Sequence, residues 1–127
     1  MYRFAHDDDE GILEIRIEGF MPLAAFPAFA HEFRRHVREA RMCGRPLRLM
    51  IDARGGAALP ADVADRIARL ERELLTSALD RVALVTAPSL NSGRHIPTSG
   101  RSQSFGSARD AHHWLLAFAH NPLRRAA

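Results

Sequence analysis

The apolar residues of this chain change period along its length, and that change constrains the fold more than any other feature. Leu13, Ile15 and Ile17 alternate with Glu14, Arg16 and Glu18, the two-residue repeat of a strand with one buried face. From Leu23 to Met42 the spacing becomes Phe26, Phe29, Phe33, Val37 and Ala40, steps of three and four that line one side of a helix. Period two returns at Leu47, Leu49 and Ile51, in a strand running to Ala53. A second helical stripe, Leu59, Val63, Ile67, Leu70 and Leu74, predicts a helix from about Pro60 to Leu79. Val82-Ala83-Leu84-Val85 does not alternate at all, which predicts a strand covered on both faces and placed centrally in its sheet.

Punctuating residues set the boundaries. Asp7 to Gly11 forms a turn between strands at Tyr2 to His6 and Ile12 to Phe20, an antiparallel hairpin. Pro27 is tolerated only in a first turn, so the first helix starts near Leu23 to Phe26, and Gly44 with Pro46 ends it. Gly55-Gly56 turns the chain, and residues 88 to 100 are rich in turn formers. Ser102 to Phe105 reads as a last short strand. Ser107 is an N-cap for a helix from Ala108 to Ala119, with Asp110 in the capping-box place and Ala111, Trp114, Leu115 and Phe118 as its buried face. The order predicts one α/β domain over residues 1–120, with a frayed tail at 121–127. Its single mixed sheet of five strands is antiparallel in the opening hairpin and parallel thereafter, and three main helices pack on it.

A chain of 127 residues suffices for one core. All 18 basic residues are arginine, which excludes a Walker-type phosphate lysine, a Schiff-base lysine and a pyridoxal-phosphate anchor. The lone Cys43 permits no intramolecular disulfide. It falls at a helix C-terminus, where the dipole opposes a thiolate, so an inert thiol is expected. The first residues lack the basic start and apolar core of a secretory signal, and no apolar run approaches the roughly 20 residues of a membrane span. A cytoplasmic location without a membrane span is the expectation.

Charge is segregated. Residues 1–33 hold two arginines against seven acidic residues, whereas residues 34–48 hold six arginines against Glu39 alone. Arg34, Arg35, Arg38 and Arg41 fit the solvated face of an amphipathic helix, and no aromatic residues interleave with them to stack bases, so nucleic acid is not the expected partner. The seven histidines lack metal spacing: His112 and His113 diverge around their helix, and His113 and His120 lie two turns apart. They read as surface residues, and no metal or other cofactor is expected. Asp7 to Glu10 lacks the glycine and distal glutamate of a calcium loop. Neither G-x-G-x-x-G nor G-x-S-x-G occurs, so the residues offer no dinucleotide fingerprint and no esterase elbow.

One position remains for function. Open sheets collect ligands beyond the carboxyl ends of their parallel strands. Here those ends are Gly19-Phe20-Met21, Asp52 to Gly56, and Thr86 to Ser89, and the site residues expected at this edge are Arg54, Gly55, Gly56, Thr86, Ser89 and Arg94. They would face a small anion or a partner's carboxylates. In the plainer reading, the two glycines only turn the chain and Asp52 only pairs with a local arginine.

The ordered set of hairpin, Gly19-Phe20-Met21 before a helix, Leu47 to Asp52, Arg81 to Val85, and Ala111-His112-His113-Trp114-Leu115 resembles a SpoIIAA-like domain of the STAS class. The resemblance spans roughly residues 2 to 118 and implies a non-enzymatic cytoplasmic module that binds a protein partner or a small ligand. Anti-sigma factor antagonists of that class are phosphorylated on a serine or threonine at the start of the helix after the Asp-containing strand. This chain has neither residue between Asp52 and Leu75, so that switch does not carry over. Two functions follow as expectations: a regulatory or protein-interaction module, or a carrier or sensor of an apolar or anionic, lipid-like small molecule. A homodimer is expected as well. Seven phenylalanines, Trp114 and four methionines exceed what helices on one sheet face would cover, and Tyr2 and Phe4 stand at a sheet edge.

Overall fold

Alternation along β2 (Ile12–Ile17) buries Leu13, Ile15 and Ile17 to 1% exposure or less on one side of a sheet and turns Ile12 to the other. The computed structural model describes residues 2–55, 60–86 and 102–126, without the side chains of 118–126. β1 (Tyr2–Asp7) pairs antiparallel with β2, from Tyr2 opposite Ile17 to Asp7 opposite Ile12. β3 (Arg48–Asp52), β4 (Arg81–Val85) and β5 (Ser102–Phe105) then add in parallel, in the spatial order β1-β2-β3-β4-β5. The predicted mixed five-stranded sheet is thus observed, and β4 is an interior strand.

The helices divide between the two faces. α1 (Phe26–Arg41), entered through a single 3-10 turn at Leu23–Ala25, packs with α2 (Ala61–Leu74) on the first face. Phe29, Phe33 and Val37 of α1 and Val63, Ile67 and Leu70 of α2 meet Leu13, Ile15, Leu49, Ile51 and Val82 there. α3 (Ala108–Ala126) covers the second face, where Ala111 and Leu115 meet Ile12, Met50, Ala83 and Val85. Consecutive residues of β4 serve opposite cores, which is why that strand does not alternate in polarity. Covering both faces also corrects the expectation of excess apolar surface. Tyr2 and Phe4 turn inward, their rings 5.0 and 5.9 Å from that of Phe29.

Boundaries shift where backbone geometry or a side chain overrides periodicity. β2 ends at Ile17 because Gly19 takes φ +73° and turns the chain. α2 stops at Leu74 rather than Leu79. The carboxylate of Asp80 accepts the Ser77 and Leu47 N–H groups at 3.0 and 2.8 Å, holding the connection in a turn. α3 runs beyond its expected end at Ala119 to Ala126. Its start is as predicted: the Asp110 N–H donates to Ser107 Oγ at 3.2 Å. Among the described residues no helix is long and apolar enough to cross a membrane.

Candidate functional site at the carboxyl edge of the sheet

Parallel register brings the ends of β2, β3 and β4 to one level, with Arg16 opposite Asp52 and Asp52 opposite Val85. Beyond that level the Ala53 N–H donates to the Val85 carbonyl at 2.8 Å, and the Gly19 N–H to the Gly55 carbonyl at 3.3 Å. The first ties the end of β3 to β4, and the second holds the loops after β2 and β3 side by side. Between them lies an open groove lined by Arg16, Glu18, Asp52, Arg54 and Gly55. A side chain at position 55 would crowd it, since a Cβ there would lie 3.3 Å from Glu18 Cγ.

Asp52 is 4% exposed and is neutralised from within the site. The Arg54 guanidinium grips it with two bonds, Nε to Oδ1 at 3.0 Å and Nη2 to Oδ2 at 2.9 Å, and the Arg54 backbone N–H adds a third at 3.1 Å. Arg54's side-chain hydrogen bonds outweigh burial and hold the Asp52 carboxyl below the usual carboxylate range. A carboxylate so engaged is a poor proton acceptor near neutral pH, so the pair suits binding better than general-base chemistry. Arg54 keeps 41% of its side chain exposed, and its Nη1 makes no hydrogen bond to the described residues. The edge is balanced in charge, with Arg16 on Glu14 at 3.2 Å and Arg3 near Glu18 at 3.7 Å. Beside the groove, next to Gly19, Phe20 is 57% exposed, and Leu23 is 41% exposed.

The expected site residues separate under this geometry. Arg54 and Gly55 line the groove. Thr86 does not: it is buried at the end of β4, and its N–H donates to the Phe105 carbonyl at 3.0 Å. Gly56, Ser89 and Arg94 lie outside the described residues. The Asp52–Arg54 pair is the local arginine contact of the plainer reading, yet it leaves a guanidinium edge turned outward. From the sequence, Phe20 reads only as part of a strand end. Its signal was available, because it falls outside both the β2 alternation and the α1 stripe and so belongs to neither core.

A second gathering of functional groups lies at the opposite end of the sheet. Among the described residues His6, His36 and Glu39 bring three potential metal-ligating atoms together, as do Asp7, Glu10 and His112. Spacing within single helices does not reveal either set, because each joins β1 or its turn to a helix distant in sequence. No known protein family, curated protein or solved structure matches the chain.

Proposed function

We propose that this domain is a non-enzymatic protein-interaction module of the SpoIIAA-like, STAS type, and that the carboxyl edge of its sheet receives the partner. The observation that carries this reading is the exposed Phe20 beside the Arg16–Glu18–Asp52–Arg54 groove. An exposed aromatic side chain next to polar, charge-balanced groups is a composition that suits a protein partner. Among the described residues, Arg3, Arg16 and Arg54 at this edge each face a carboxylate, which weakens the long-range attraction that a polyanion requires. The occupant that fits is a protein segment presenting an apolar side chain to Phe20 and a carboxylate to the free edge of Arg54.

Among the described residues the packing disfavours a carrier that encloses its ligand in the core. Phe29, Phe33, Ile15 and Met21 are completely enclosed. The cavity beside the hairpin, lined among others by Gly11, Leu13, Ala40 and Leu47, holds about 30 Å3, space on the scale of a water molecule rather than a lipid. For the homodimer, the ground taken from excess apolar surface weakens with both sheet faces covered, and Tyr2 and Phe4 pack on Phe29, although β1 remains an edge strand. The acidic hairpin also meets arginines of its own chain, Arg45 donating to the Asp8 carbonyl at 2.9 Å and Arg48 to that of Glu10 at 2.6 Å.

Photocross-linking in cells of the source organism tests the proposal. A photoreactive phenylalanine analogue at position 20 is expected to give a discrete adduct with another protein, weakened by Arg54→Glu. The same analogue at Met42, which is 82% exposed and lies outside the groove, is expected to give none. Identical adducts from both positions, or none from position 20, would overturn it.

A further inference from the structure

We propose that His6, His36 and Glu39 form a binding site for a divalent transition-metal ion of the zinc type, at the opposite end of the sheet from the partner edge. β1 directs Tyr2 and Phe4 toward α1, and the same alternation carries His6 there. On α1, His36 and Glu39 are three residues apart and share a side of the helix. His6 Nε2 lies 2.8 Å from His36 Nδ1, and Glu39 Oε2 lies 3.8 Å from the first and 4.0 Å from the second. A point about 2.1 Å from all three atoms exists at the centre of that triangle, which is the bond length zinc makes to imidazole nitrogen and carboxylate oxygen.

The donor set also fits in kind. Two imidazoles and one carboxylate hold zinc while leaving a further coordination position open. His36 is the anchor: its side chain is only 16% exposed, and its ring stacks on Phe4 at 4.4 Å with 12° between the planes. Burial, then the neighbouring His6 and Arg35, hold its pKa below the ordinary imidazole value. Arg35 approaches Glu39 Oε1 at 3.9 Å, which leaves Oε2 for the ion. The two rings now share one proton along their 2.8 Å hydrogen bond. Coordination places the metal between the nitrogens, and the donor ring changes tautomer, its proton passing by way of solvent to its outer nitrogen, so that both rings bind as neutral imidazoles.

The other cluster has less to offer. Asp7 Oδ1 already accepts the Glu10 N–H at 3.1 Å, and Glu10 Oε2 lies 3.3 Å from His112. It supplies one imidazole in place of two, and His112 is therefore the control position.

Isothermal titration of the tag-free full chain with zinc chloride near neutral pH tests the site. One zinc ion per chain is expected, with affinity reduced about tenfold or more by His6→Gln and by Glu39→Gln, and unchanged by His112→Ala. Zinc should raise the thermal midpoint of the parent chain and fail to raise that of the folded His6→Gln variant. No heat and no thermal shift in the parent chain would overturn the proposal. So would binding that survives both His6→Gln and Glu39→Gln, or that is lost in His112→Ala.

Discussion

Asp80 is a buried carboxylate on which three segments converge. Arg41 of α1 donates to its Oδ2 at 2.7 Å, and the N–H groups of Leu47 and Ser77 complete its shell. Burial alone would raise its pKa, but the Arg41 bonds and the two backbone donors outweigh it and hold the carboxyl below its ordinary 3.8. The folded state therefore binds this proton less readily than the unfolded chain. The resulting stability is present above the unfolded carboxylate pKa and is lost as pH falls through the lower folded one. Asp80→Ala leaves two N–H groups and Arg41 without their acceptor, and a loss of about 3 kcal/mol is expected in urea denaturation. Glu71 has the opposite sign. Burial pushes its carboxyl from 4.5 up to about 7 against the weaker pull of Arg72, so its contribution is present below 4.5 and is lost as pH rises through about 7. Glu71→Gln is expected to flatten the stability profile between those values and to raise stability above pH 7, checked by denaturation across that range.

The elements themselves were legible where a single chain segment carries the whole signal. Ser107 is such a case, since its hydroxyl meets the Asp110 N–H as the spacing predicts. Ser107→Ala should cost about 1 kcal/mol of thermal or chemical stability. Gly11 is another: it closes the hairpin at φ +68°, where a Cβ would also fall 2.9 Å from Arg45 Nη1. Gly11→Ala is expected to destabilise by about 1 kcal/mol or more, seen as a lowered denaturation midpoint with an unchanged slope. Legibility failed where a distant partner decides. The end of α2 depends on Asp80, a turn residue whose ligands come from α1 and the start of β3. His6 and His36 meet only because β1 lies under α1, and no spacing within one element encodes that. Thr86 follows an interior strand and reads as available from the sequence, but the last residue of β5, Phe105, takes its N–H.

At the scale of the molecule, two helices on one sheet face and one on the other leave a closed core and a sheet whose two ends differ in chemistry. The amino end of the parallel strands gathers imidazoles and carboxylates, while the carboxyl end presents Phe20 and a half-engaged Arg54. The carboxyl edge itself was legible as a place in the fold, because strand direction follows from connection order. The sequence did not show that Phe20 is left outside both cores, which depends on where β2 stops. The segregated charge blocks are partly satisfied within the chain, as Arg34 of α1 grips Glu73 of α2 at 2.8 Å. The central claim is that this edge holds a protein partner. Native mass spectrometry of the protein isolated from its own cells tests it most directly, comparing the parent chain with Phe20→Asp and Met42→Asp. The account predicts a complex with a second, different polypeptide that Phe20→Asp dissociates and Met42→Asp leaves intact. A bound small molecule in place of a polypeptide, or a complex that Phe20→Asp leaves unchanged, would contradict it.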